Sequence, residues 1–187
     1  MPERLTDAGY SDMIAFARAR RSEWASDARL AIAYAEDALR VPGTTAQTRA
    51  WCSRQAAISH AMAGDATSCE RYLADAYGLL DDDSPAPPWA GEFRVARTGT
   101  LAAEARCWLT MAPAKAVGLY EDALRDWPHA EARDGAVHQA RLAIACAQTG
   151  EIDRAKAEGR RALAITKAAN SATATRELRR LRNALAA

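Results

Sequence analysis

Apolar residues recur along this chain at intervals of three and four, and almost nowhere in strict alternation with polar ones. Ile152, Ala155, Gly159, Ala162 and Thr166 form one such stripe, and Ala116, Tyr120, Ala123 and Trp127 form another. That spacing puts the side chains on one face of an α-helix. Alternating runs of Val, Ile and Thr between turn residues, the mark of strands, are nearly absent. Breakers cut the periodic stretches at Pro42-Gly43, Gly64-Asp65, the DDDSPAPP run from Asp81, Ala112-Pro113, Trp127-Pro128, Gly150-Glu151 and Asn170-Ser171. About nine helices are predicted between them, over residues 5–20, 26–40, 45–63, 66–80, 88–110, 113–126, 130–149, 151–168 and 172–186. Asp65 and Glu151 fall where helices begin, where a carboxylate caps free N–H groups and favours the positive end of the helix dipole. Pro113 suits a first helical turn, because its missing donor would have had no partner there.

The pattern repeats. EDALR occurs at residues 36–40 and again at 121–125, and AMAGDATSCERYLADAYGLL (61–80) aligns with AQTGEIDRAKAEGRRALAIT (147–166), Gly64 on Gly150 and Ala76 on Ala162. Short turns force successive helices antiparallel, so the chain reads as degenerate helix pairs over 5–43, 44–80, 88–128 and 129–168, closed by a helix at 171–187. Small residues stand where paired helices would cross: Ala57, Gly64, Cys69 and Ala76 in the second pair, Ala116 and Ala123 in the third, Ala143, Gly150, Ala155, Gly159 and Ala162 in the fourth. EDALR then marks the end of a second helix, its Ala packed inward and its Glu, Asp and Arg facing water. The first pair has no clean Gly turn. The last segment, SATATRELRRLRNALAA, carries Leu178, Leu181 and Leu185 on one face with arginines opposite, as suits a solvent cap on the end of a repeat array.

This pattern of small residues, a Gly turn and Pro128 after the second helix resembles the tetratricopeptide repeat, a pair of antiparallel helices. The equivalent alanines 38, 76, 123 and 162 are spaced unevenly and more widely than that repeat's 34 residues. RDWPHAEARDGAVHQARLAIACAQTGEIDRAKAEGRRALAI followed by ATRELRRLRNAL further resembles the C-terminal repeat half of large actinobacterial helix-turn-helix regulators. The resemblance covers about residues 24–187 and implies an all-α, right-handed helical-repeat array acting as a regulatory interaction or sensor module. It brings no DNA reader, since no compact helix-turn-helix unit with a basic recognition helix precedes the repeats.

Composition narrows the function. A chain of 187 residues buries one sizeable core without metals or disulfides, so one domain or continuous array over 1–187 is expected. No stretch approaches the apolar length of a membrane span, and no apolar signal segment follows the N-terminal charges, so a cytoplasmic protein without a membrane partner is expected. Only Lys115, Lys156 and Lys167 stand against 22 arginines, a skew that fits a GC-rich genome. The segment from Arg154 onward holds nine basic and two acidic side chains and the rest of the chain is net acidic. Direct nucleic-acid binding is therefore not expected, and the basic run reads as a solvated helix face.

Candidate chemistry is sparse. Cys69, Cys107 and Cys146 occupy small-residue positions and read as packed, reduced thiols, while Cys52 beside Trp51 has no packing explanation. His60, His129 and His138 lack metal-ligand spacing, and DDDS at 81–84 lacks the alternating ligands and Gly of a calcium loop. There is no phosphate loop, nucleophile elbow or HExxH, so catalytic residues, cofactor and metal are all expected to be none. A groove remains. Counting the first-helix faces as in the repeat puts Trp51, Arg54 and Ile58, then Arg97, Leu101 and Trp108, then Val137, Arg141, Ile144 and Gln148 on a concave side. Trp and Arg there suit a peptide carboxylate or an amphipathic helix, although Trp51 and Trp108 fit a core between pairs as well. The function expected is a non-enzymatic domain that binds a protein or peptide partner, in transcriptional regulation or signalling. Alternatives are a domain sensing a small-molecule effector and an enzyme built on the helical scaffold; the oligomeric state is left open.

Overall fold

The computed structural model describes residues 8–80 and 96–186. Among them are nine α-helices and one short 3-10 turn, and no strand. The helices are α1 (Ala8–Trp24), α2 (Ala28–Arg40), α3 (Ala46–Met62), α4 (Ala66–Gly78), α5 (Arg97–Met111), α6 (Pro113–Arg125), α7 (Ala132–Gln148), α8 (Ile152–Ala169) and α9 (Ala172–Ala184), with the 3-10 turn His129–Glu131 before α7. None is long and apolar enough to cross a membrane. The acidic run at 81–84 and the predicted start of the fifth helix at 88–95 lie outside the described residues, as do residues 5–7 of the first.

The chain gathers into two compact units, residues 1–103 and 104–187. In the first, α1 packs on α2 and α3, α2 on α3, and α3 on α4. In the second, α7 is central and packs on α6, α8 and α9, while α9 also touches α8. The contact faces are built from alanine: Ala31, Ala35, Ala38, Ala56, Ala57 and Ala76 in the first unit, and Ala116, Ala123, Ala143, Ala155 and Ala162 in the second, are fully buried. Each buried methyl contributes only about 0.8 kcal/mol, so many are needed, and their value lies in letting backbones come close.

Three hairpins close with one turn. At the end of α3, Gly64 N–H donates to the Ala61 carbonyl and Asp65 N–H to that of His60, both at 3.0 Å. At the end of α7, Gly150 N–H donates to Ala147 and Glu151 N–H to Cys146, at 3.2 and 2.9 Å. These are the paired bonds of a Schellman ending, which requires a left-handed residue, and Gly64 and Gly150 have φ of 78° and 82°. The first pair makes the same ending without glycine: Ser26 N–H donates to Glu23 and Asp27 N–H to Ser22, with Ser26 at φ 60°. The predicted end of the first helix at residue 20 is thereby corrected to Trp24, because the breaker there is a strained serine.

The residue after each turn starts the next helix, as the carboxylates suggest, but not identically. Asp27 accepts from Leu30 N–H and Asp65 from Ser68 N–H, each at 3.0 Å. Glu151 makes no such cap; its carboxylate instead takes the Thr149 hydroxyl and Arg154. Pro113 opens α6 as expected. The two EDALR copies end α2 and α6 alike, with Ala38 and Ala123 buried and Arg40 and Arg125 donating to Asp37 and Asp122 at 2.9 and 2.8 Å. Glu36 departs from the expectation that it faces water: it accepts from the Tyr72 hydroxyl at 3.1 Å and lies 3.4 Å from His60 Nε2.

Gly159 of α8 has a packing role, since a Cβ there would stand 2.6 Å from Leu181 Cδ2 on α9. Two outcomes follow from the backbone. Ser26→Gly relieves a left-handed L-residue and raises stability by about 0.5–1 kcal/mol net of glycine's entropy, whereas Gly64→Ala or Gly150→Ala lowers it by about 1 kcal/mol or more; urea unfolding measures both. Gly159→Ala destabilises by about 1–3 kcal/mol through overpacking, and part of that loss is recovered when Leu181→Ala is added, a coupling read by a double-mutant cycle.

Candidate functional site

In the first unit, α1 and α3 present a run of aromatic rings and guanidinium groups. Phe16, Arg20 and Trp24 follow one another at four-residue intervals on α1. Arg20 lies over the Phe16 ring at 5.9 Å and over the Trp24 ring at 5.6 Å. Phe16 meets Trp51 of α3 edge to face, with centroids 5.5 Å apart, and Arg54 stands 6.0 Å from the Trp51 centroid. Trp24 is half exposed at 50%, and Phe16, Trp51 and Arg54 are partly exposed. Arg54 also occupies the space left by Gly99, where a Cβ would stand 3.3 Å from its Nη1. Alternating rings and guanidinium groups favour one another by cation–π attraction, and they leave flat apolar area beside planar donors at the surface.

A second polar cluster ties α2, α3 and α4 together. His60 is buried at 8% exposure, with Nδ1 3.1 Å from Asp65 Oδ2, Nε2 3.4 Å from Glu36 Oε1, and its ring stacked on Tyr72 at 5.3 Å. Burial, then the hydrogen bond to Glu36, raises the Tyr72 hydroxyl pKa, and the side-chain and backbone hydrogen bonds of Ser68 lower that of Asp65. The cluster ties α2, α3 and α4 together, and Asp65 also caps α4.

The second unit buries charge. Arg141 of α7 and Glu177 of α9 are 5% and 1% exposed and bonded at 3.3 and 3.0 Å, while the other Glu177 oxygen accepts from Arg180 at 2.9 Å. Burial alone would raise the Glu177 pKa, but Arg141 and Arg180 outweigh it and hold the carboxyl below its ordinary value. Burial, with Arg141 nearby, pushes the Arg106 guanidinium down to about 9, which leaves it charged at neutral pH. Burial pushes the Tyr120 hydroxyl up to about 12.

The expected groove residues fall in both units and meet different fates. Trp51 and Arg54 belong to the aromatic run; Arg97 is exposed over the Tyr77 ring at 5.9 Å, Leu101 is half-buried, and Ile58 is buried. Trp108 is buried, its Nε1 donating to Glu104 at 3.3 Å with Lys115 over its ring at 3.8 Å. Val137 packs with Ala174, Ile144 lies in the core and Gln148 is exposed. Ile58, Trp108, Val137, Ile144 and Arg141 are thus buried, Trp108 as the core reading has it, and on α7 the cover is specific: α9 supplies Ala174 against Val137 and Glu177 against Arg141.

The sequence reading missed Phe16, Arg20 and Trp24, although their spacing by fours was visible, because the first helix was ended at residue 20. It also missed Glu177, whose signal is an acid on the same face as Leu181. All four cysteines, Cys52 included, are buried free thiols, and burial raises the Cys146 thiol to about 11. Among the described residues no group of three or more His, Cys, Asp or Glu could hold a metal ion.

Comparison with known proteins finds no matching family model, no matching curated protein and no matching solved structure.

Glu177 gives the sharpest test of the second unit. Glu177→Ala, which strands Arg141, costs about 3–5 kcal/mol. The stabilisation of wild type over Glu177→Gln is full above the ordinary carboxylate value of 4.5 and is lost as the pH falls through the lower folded value. Urea unfolding of both proteins across that range measures it.

Proposed function

We propose that this chain is a non-enzymatic helical interaction domain that captures a protein or peptide partner, working in the cytoplasm in regulation or signalling. The resemblance of its sequence to tetratricopeptide repeats supports this reading. The observation that carries it is the partly exposed run Trp24, Arg20, Phe16, Trp51 and Arg54. Aromatic rings and arginines dominate the binding energy of protein interfaces, because rings bring area at low entropy cost and guanidinium groups bind carboxylates through a planar fork. The polar clusters elsewhere hold helices together, and the Cys146 thiol, protonated at neutral pH, is a poor nucleophile.

Selection of a random peptide library on the intact protein tests the proposal. Enriched peptides should bind Trp24→Ala and Arg54→Glu about tenfold or more weakly, the range of interface anchors, while the melting temperature of Trp24→Ala stays near wild type. Enriched peptides that bind both variants as well as wild type, or a selection that enriches none, would overturn the assignment.

A further inference from the structure

Helices α8 and α9 leave an open groove of about 380 Å³ between them. Lys167, Arg179 and Arg182 line it, together with Asn170, Leu163 and Leu178. Leu163 is 44% exposed, an apolar side chain in a rim otherwise rich in charge. No acidic side chain lines the groove. The two acids within the segment that begins at Arg154 are Glu158 and Glu177, both buried, and both already bonded: Glu158 to Gln139 and Arg161, Glu177 to Arg141 and Arg180. Arg154, another cation of this segment, is held by Glu121 and Glu151. Lys167, Arg179 and Arg182 therefore have no acidic partner among the described residues.

We infer that this groove is a second docking surface, which takes an acidic amphipathic segment of a partner protein. Its carboxylates would meet Lys167, Arg179 and Arg182, and its apolar side chains would cover Leu163 and Leu178. Charge complementarity selects the sign of the occupant, and the leucines select its kind. A nucleic-acid backbone would use the cations but leave the leucines uncovered, and a small anion would use neither leucine. The surface lies within the second unit and does not depend on the aromatic run of the first.

The test titrates isotope-labelled full-length protein with three probes: a synthetic amphipathic peptide of Glu and Leu at helical spacing, the same peptide with Gln for every Glu, and a double-stranded oligonucleotide. Binding of the acidic peptide should shift backbone amide resonances in α8 and α9, weaken with salt, and be lost with the Gln peptide. Arg179→Glu with Arg182→Glu, two exposed positions, should weaken it about tenfold or more while melting like wild type, and Leu163→Ser should weaken it further. Four outcomes overturn the inference: no binding of the acidic peptide, resonance shifts confined to other helices, tighter binding of the oligonucleotide than of the peptide, or self-association of the protein that the same double variant abolishes. The first-unit variants Trp24→Ala and Arg54→Glu leave this titration unchanged, which separates it from the proposal above.

Discussion

Close approach of helices across alanine is the constraint on which the rest of this protein depends. Alanine is the best helix former and the smallest side chain that still adds apolar area, so a chain rich in it makes helices readily and lets them nest closely. The same choice leaves each contact with little hydrophobic energy and few features to fix its register. Gly159 beneath Leu181 shows how close the approach is, since a Cβ there would stand 2.6 Å from Leu181 Cδ2.

Register is supplied instead by polar ties. His60, held between Asp65 and Glu36 and stacked on Tyr72, links α3 to α2 and α4. Arg141 and Glu177 fix α9 on α7 in one position along the helix. A buried ion pair adds little net stability over an apolar pair, but it penalises every arrangement that separates its charges. In the two EDALR segments Ala, Asp and Arg behave alike, while Glu36 lies in the His60 cluster and Glu121 pairs with Arg154.

The two proposed docking surfaces lie outside these ties. On α1 and α3 the rings and guanidinium groups support one another without being fully buried. Between α8 and α9 three cations stand beside exposed leucine with no acid among them. Both keep part of their side-chain area exposed, whereas His60, Arg141 and Glu177 are buried.

The sequence by itself determined the helices and most of the turns between them. Helical periodicity, a Gly or Pro punctuation and a capping carboxylate act within a few residues, so Gly64 with Asp65, Gly150 and Pro113 could be read directly. Ser26 could not, because a serine adopts the left-handed turn only when the helices on either side hold it there. Which face of a helix is covered was likewise a tertiary decision. Val137 and Arg141 have the spacing of an open face, and they are buried because α9, which brings Glu177 from 36 residues away, lies across them. Periodicity specifies that a face exists, and only the packing of a distant helix decides whether that face meets solvent, a core or a partner.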